Sequence, residues 1–503
     1  MQNLYNYLGE QLDIATGSGN YTNAVEAGID NSGLTDVSNA INTLIADGGM
    51  FFFPAGTYLL NSQMIVKSNT VIKGEGETTI FKASPLMDAV YNTICNANAS
   101  NINARLCRNE ATASLPATSE FITEYDHNIY LYDFTVDGNW MHRDLVNWDK
   151  YYTKGGNQAT REPGTNLEIQ AAHDVIIENV RAINGVQHNI NIRAGAFSYN
   201  MGISYKALFP CYRIVIRNCF ASNERYDDCI TTHDSHNILI DNCVCSVENN
   251  ANGTYSAAIS NGIEVDDGSE FVEVRNCKTY YAVCGFQAKG HDNTPPAHDI
   301  TFDNCTAFYT QYGFSLACGP QTEYTGQETV EGRCRNINIL HCAVIKPYVP
   351  SNITSWAGAL MFVAMKNTLN VNIEDLYVEN SGAPDGVQND YGQATRTMLV
   401  NMREKCINTV IRNIKVTNPI TCNYSDWGLI VFYAGSHDAV IENVFLNGFT
   451  GNPIIKLNDN SSDYYLKIDG IYTPRIAQTD SMLSLADAQI NLQGERKNMI
   501  YTA

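Results

Sequence analysis

Five segments of the chain share one pattern: an apolar, strand-like run that ends in Asn or Asn-Cys. They are Val175–Val180 (VIIENV), Ile214–Cys219 (IVIRNC), Ile238–Cys243 (ILIDNC), Val272–Cys277 (VEVRNC) and Asp299–Cys305 (DITFDNC). About ten residues further on, a Gly or polar residue opens a second short strand. Looser copies lie at Tyr130–Thr135, Val371–Leu376, Thr409–Ile414, Ala439–Val444 and Tyr465–Gly470. The marker residues Asn179, Asn218, Asn242, Asn276 and Asn304 are spaced 39, 24, 34 and 28 residues apart. A strand-rich unit that recurs at this period, with inserts of variable length, marks a solenoid. One coil cannot bury its apolar side alone, so coils must stack. The pattern predicts an all-β fold, a right-handed single-stranded parallel β-helix of ten or more coils.

The organisation expected is an attachment or capping segment over 1–30, one β-helix over 31–470 and an end cap over 471–503. No break in composition separates globular units within the long middle part. The net charge of −21 argues against a nucleic-acid partner, which needs a basic surface. It also makes a neutral or cationic glycan easier to bind than a polyanion, unless local patches overrule the total. No apolar run reaches the length of a membrane span, so no membrane insertion is expected. The first twenty residues lack a basic region followed by an apolar core, so no secretory leader is expected there. Of the 15 Cys, Cys219, Cys243, Cys277 and Cys305 occupy one repeat position. Equivalent positions in adjacent coils stand about 4.8 Å apart, which favours a buried ladder of reduced thiols over disulfides.

A solenoid end exposes apolar core and open strand edges, so it needs a cap. Thr35–Ala46 reads as an amphipathic helix with Asp36 at its N-cap and Ala40, Ile41, Leu44 and Ile45 at helical spacing. Met50–Phe53, the turn Pro54-Ala55-Gly56 and Thr57–Leu60 follow. This opening, with AI, GG and FPAGTY in order, resembles that of the pectate-lyase-like β-helix superfamily. The resemblance implies fold more firmly than reaction, because glycosidases, lyases, epimerases and phage tailspikes share it.

Side chains alternate faces along a strand. In Asn189–Arg193, Cys229–His233, Gly262–Asp266, Gly285–Lys289 and Gly313–Ala317 the second and fourth residues are mostly apolar and point inward. The third and fifth then form two outward columns, Asn191, Thr231, Glu264, Gln287 and Arg193, His233, Asp266, Lys289, on a face expected to meet solvent. Glu264 and Asp266 lie two residues apart on one face, roughly 6.5 Å along the strand. Asp227, Asp228 and Asp267 sit at strand ends, and His291 follows in a turn. Paired carboxylates suit glycoside hydrolysis. A carboxylate beside His or Lys suits proton abstraction by a lyase or epimerase. The candidate catalytic residues are therefore Glu264, Asp266, Asp227, Asp228 and Asp267, with a raised pKa expected for one carboxylate of the Glu264–Asp266 pair. Candidate substrate-binding residues are His233, Lys289, His291, Arg193 and Gln287, with Trp140 and Trp148 as sugar-stacking faces in the insert Trp140–Pro163. Asn249–Ser260 is an insert long enough to wall a groove, and Cys107–Glu120 is a further insert. No metal or cofactor is required, although acidic clusters of this kind can hold Ca²⁺ through oxygen ligands.

The run Asp227–Cys243, Ser260–Ser269 and Gly285–Cys305 resembles the central β-helix of phage tailspike and neck-appendage proteins. That resemblance implies a homotrimer on the virion, in contact with other tail proteins, that binds and cleaves a bacterial surface glycan or teichoic acid. It also singles out Asp227, Asp228, Glu264, Asp266, Asp267 and His291. The Asp227-Asp228 pair is similar to the acidic pair of polygalacturonases, but their Gly-His-Gly and Arg-Ile-Lys motifs are missing. The competing readings are a secreted lyase, epimerase or glycosidase of the same fold and a non-catalytic glycan-binding adhesin.

Overall fold

The computed structural model describes residues 20–100, 122–145, 164–195, 209–247, 261–290, 295–318, 332–347, 359–379 and 396–417, with shorter stretches beyond 420. The chain divides into two compact units. One comprises Met1–Ser246 with Gly268–Glu273, and the other Val247–Asp267 with Val274–Ala503.

In the first unit one sheet stacks Met64–Val66, Ile94–Asn96, Leu167–Gln170, Ile190–Arg193 and Ile230–His233, every pair parallel. A second stacks Thr70–Lys73, Asp126–Asp137, Ala172–Ile183, Tyr212–Arg217 and His236–Asp241, again parallel throughout. Parallel neighbours joined through intervening strands are the signature of a β-helix, as the repeat predicted. Strict register turns the repeat into columns. Ile129, Val175, Ile214 and Ile238 align, and so do Leu131, Ile177, Ile216 and Ile240. All eight are buried. Each such side chain contributes roughly 1.5–3 kcal/mol of burial, available only once the neighbouring coil is present.

The marker Asn residues bend the chain between strands. Asn179, Asn218 and Asn242 have φ of 52°, 54° and 52°, in the left-handed region that Asn tolerates better than other side-chain-bearing residues. Their amides stack as well. Asn179 donates to Asp133 (3.0 Å) and Asn242 to Asn218 (2.8 Å).

The second unit repeats the plan. Asn261–Asp266, Cys284–Gly290, Tyr312–Cys318, Ala359–Lys366, Arg396–Arg403, Ile430–Phe432, Ile455–Leu457 and Leu483–Leu485 stack in parallel. With five rungs in one unit and eight in the other, the expectation of ten or more coils is met. Asn304 donates to Asn276 (2.8 Å) and Asn443 to Asn413 (3.1 Å). Gly opens strands here because the backbones touch. A Cβ on Gly285 would sit 2.7 Å from the Ala307 Cβ and 2.8 Å from the Gly313 carbonyl oxygen.

The thirteen described cysteines are all buried and unbridged. Cys219 and Cys243 in one unit, and Cys277, Cys305 and Cys342 in the other, end consecutive strands as small apolar plugs, consistent with the ladder of reduced thiols. Burial pushes the Cys211 and Cys284 thiols up to about 12, the direction that makes a thiol unreactive.

The capping helix is shorter than the sequence suggested, Ser38–Leu44 rather than Thr35–Ala46. Asp36 is not its N-cap. That place falls to Val37, and no side chain caps it. The reason is that Asp36 ends the strand Ser32–Asp36, which pairs with Gly56–Leu60. Its carboxylate instead accepts the backbone N–H groups of Ser38 (3.0 Å) and Asn61 (3.0 Å), tying the helix entry to the first coil.

Candidate functional site

In the first unit the strands Leu167–Gln170, Ile190–Arg193 and Ile230–His233 turn Leu167, Ile169, Ile190, Ile192, Ile230 and Thr232 inward. Their alternate residues form two outward columns, Glu168–Asn191–Thr231 and Gln170–Arg193–His233. The alternation was read correctly, but the expected solvent exposure was not. Asn191, Arg193, Thr231 and His233 are buried, as are Glu168 and Gln170. Their polar groups bond to one another. Arg193 ion-pairs with Glu168 and donates to Gln170 (3.3 Å). Asn191 donates to Glu168 (3.1 Å) and lies 3.1 Å from His233 Nδ1. A buried Arg needs such partners, since an uncompensated charge there would cost several kcal/mol.

Beside these columns, at the strand starts, sits a second group. His188 is buried, with Nε2 3.7 Å from an Asp227 carboxylate oxygen and Nδ1 3.5 Å from one of Asp228. The backbone N–H of Asp228 donates to His188 Nδ1 (3.3 Å). That makes Nδ1 an acceptor and leaves the proton of the neutral ring on Nε2, facing Asp227. Gln187 also donates to Asp227 (3.4 Å). Asp228 is fully buried, whereas the Asp227 side chain keeps 15% of its surface open. The His188 and His233 ring centroids are 5.9 Å apart.

Glu224 completes the group. One of its oxygens accepts from Asn189 (2.8 Å) and from the Cys229 thiol (3.1 Å). The other is buried without a hydrogen-bond partner. Burial pushes the Glu224 carboxyl up to about 7, outweighing the Cys229 and Asn189 bonds, and the Asp227 charge adds to the rise. A raised carboxyl was expected within the Glu264–Asp266 pair. The structure provides one at Glu224, and its main cause is desolvation rather than like charge.

In the second unit Lys289 clamps the expected pair. Its ammonium lies 2.7 Å from Glu264 and 3.2 Å from Asp266. Asn261 donates to Glu264 (3.1 Å) and to Gln287 (2.9 Å), and Gln287 donates to Ser315 (3.3 Å). The Asp267 N–H donates to Asp266 (2.8 Å). Glu264, Asp266 and Asp267 are buried, another correction to the solvated face, while Lys289 and Gln287 remain partly exposed. Two carboxylates share one ammonium, an arrangement that can hold a ligand's hydroxyls.

Trp140 is not an open stacking face. It is buried, its indole N–H donates to the Asn223 carbonyl (2.8 Å) and the Arg225 guanidinium covers the ring at 5.3 Å. Trp148, His291 and the inserts 249–260 and 107–120 lie outside the described residues.

Sequence reading missed Glu168, His188 and Glu224. Glu168 had a signal: Asn166–Gln170 (NLEIQ) repeats the alternation of Asn189–Arg193 (NINIR). His188 and Glu224 lie outside the strands and had none. His188, Asp227 and Asp228 offer three ligand atoms within 4.8 Å of one another. The imidazole makes this set a closer fit to a transition-metal ion than to Ca²⁺, which prefers all-oxygen ligation.

Comparison with known proteins adds three findings. The sequence profile of the rhamnogalacturonase A/epimerase, pectate lyase-like family matches residues 21–319. The pre-neck appendage protein of Bacillus phage B103 is 32% identical over 276 residues, covering 54% of this chain and 27% of that protein. The chain thus spans about a quarter of the length of the curated relatives it matches. Among solved structures, the pre-mature bacteriophage phi29 gene product 12 superposes with a TM-score of 0.72 at 20% identity, over 98% of this chain and 57% of that one. The tailspike of E. coli bacteriophage HK620, solved with a pentasaccharide, gives 0.54 at 13% identity, over 95% and 75%. At such identities these two superpositions speak to fold.

Proposed function

The chain belongs to the rhamnogalacturonase A/epimerase, pectate lyase-like family, and on that premise we propose that it is the glycan-engaging β-helix of a phage neck-appendage or tailspike protein. In this reading it is carried on the virion as a homotrimer, outside the host cell and among other tail proteins. It binds a bacterial surface polysaccharide or teichoic acid and cleaves it by hydrolysis. The similarity to phage appendage proteins supports the setting, and the family supports the glycan.

The observation that carries the chemistry is the group Glu224, Asp227, Asp228 and His188. Hydrolysis of a glycosidic or phosphodiester link needs a proton for the leaving oxygen and a base for the water. Carboxyls in contrasting settings divide those roles. Glu224 holds a proton to about pH 7. Asp227 has the reachable carboxylate and meets the polymer. His188 keeps its Nε2–H toward Asp227 and orients that carboxylate, while its Nδ1 is anchored by the Asp228 backbone N–H. None of these steps requires a metal ion.

The test is product analysis on purified wall polysaccharide and teichoic acid. Hydrolysis releases reducing ends or phosphomonoesters. Asp227→Asn and Glu224→Gln should each lower turnover by roughly 10²–10⁴-fold while polymer binding persists. Unsaturated sugar ends would replace hydrolysis by the lyase reading. Wild-type rates in both variants would remove the site from this group.

A second reading rests on the Lys289 clamp. With Glu264 and Asp266 both held by its ammonium, the partly exposed Lys289 joins Gln287 in offering sugar-binding donors. If the wild type binds a polymer and cleaves none, and Lys289→Met or Gln287→Ala abolishes binding, the adhesin reading prevails.

A further inference from the structure

We infer that Asn191 is a positioning residue. It holds His233 with the proton on Nδ1, so that the ring exchanges protons through Nε2. The consequence for turnover rests on the hydrolytic reading above; the tautomer itself does not.

The chain of orientation starts at Gln170. Its amide nitrogen donates to the carbonyls of Ala194 and Gly195, both at 3.2 Å. Its oxygen therefore faces Arg193, which donates to it at 3.3 Å. Arg193 can only donate, and it pairs with Glu168, so Glu168 serves as an acceptor throughout. Glu168 Oε2 then takes the amide N–H of Asn191 at 3.1 Å. The Asn191 oxygen is left pointing at His233 Nδ1, 3.1 Å away. An amide oxygen has no proton to give, so Nδ1 must be the donor.

Glu168, Gln170, Asn191, Arg193 and His233 are all buried, so water cannot substitute for a misoriented partner. The three strands hold these residues in register, and the carboxylate of Glu168, which can only accept, keeps the Asn191 amide from turning over. The His233 ring faces the His188 ring at 5.9 Å, so a fixed tautomer sits beside the acid–base group. A His in the wrong tautomer presents an N–H where a lone pair is needed, and proton transfer fails.

A purely structural network would also satisfy these buried atoms, so the test reads the tautomer directly. The full chain is labelled with ¹⁵N at histidine only. The His233 signals are those that vanish in His233→Gln. In the wild type at neutral pH, Nδ1 should carry the proton. A neutral ring protonated on Nε2 alone overturns the inference, whatever the variants do. Asn191→Leu should release the ring to the other tautomer or a mixture and lower kcat by roughly 10–100-fold with KM unchanged. An Asn191→Leu protein that keeps the wild-type tautomer and kcat overturns it too. If the wild type cleaves no polymer, the hydrolytic reading falls, while the ¹⁵N spectrum still decides the tautomer.

Discussion

Glu224 makes the protein's stability depend on pH in a direction opposite to that of most carboxylates. Its ordinary value is 4.5, and burial raises it to about 7 in the folded chain. Between those values the folded state holds a proton that the unfolded state has lost. Stability from this group is therefore fully present below pH 4.5 and is lost as pH rises through 7. One pKa unit is worth about 1.4 kcal/mol, so the full loss is about 3 kcal/mol, and about 2–3 kcal/mol of it falls between pH 5 and pH 8. Glu224→Gln cannot ionise and should remove that dependence. The assay is chemical denaturation of wild type and variant at both pH values, read as a double difference so that every other titrating group cancels. Relative to the wild type, Glu224→Gln should gain about 2–3 kcal/mol on going from pH 5 to pH 8, whatever its altered hydrogen bonds cost at both pH values. A double difference near zero would show that Glu224 ionises normally, and the proton-holding role assigned to it would fall.

Three further outcomes follow from the packing. Lys289→Met strips the shared counter-charge from the buried Glu264 and Asp266 and should destabilise the fold by about 3–5 kcal/mol, seen as a lower denaturation midpoint. Gly285→Ala drives a Cβ against Ala307 and the Gly313 carbonyl. Because backbone cannot step aside easily, a loss of about 1–3 kcal/mol is expected, and a wild-type melting temperature would contradict the close approach. The described thiols are buried and unbridged, so Ellman's reagent should leave them unmodified in the native protein and react with them after denaturation under non-reducing conditions; equal rates in both states would refute the ladder.

Much of this protein was legible in its residues because a β-helix writes its architecture locally. Apolar alternation sets which face of each strand is inward, Asn at the bends meets a left-handed turn, and Cys after it plugs the core. Each choice depends on neighbours one coil away, so it recurs and can be read without coordinates. The outward columns were legible for the same reason, since register carries position from rung to rung. What those columns experience was not. Asn191, Arg193, His233, Glu264 and Asp266 all face outward, yet they are buried, because burial depends on what lies over a sheet and not on its alternation. The cap showed the same limit at smaller scale: Asp36 looked like a helix N-cap until pairing with Gly56–Leu60 claimed it for a strand.

The sequence by itself determined the fold, the coil register and the identity of the Asp227-Asp228 and Glu264–Asp266 pairs. Only the tertiary structure decided which carboxyl has its pKa pushed up. A pKa is set by the distance-dependent sum of desolvation, charge and hydrogen bonding. Those terms come from residues such as Asn189, Cys229 and Asp227, which meet Glu224 only when the coils stack. Lys289 reaches its two carboxylates in the same way, across a rung. Short-range pattern carries the backbone path, while the electrostatics of the site arise from contacts between coils, and those exist only in the folded chain.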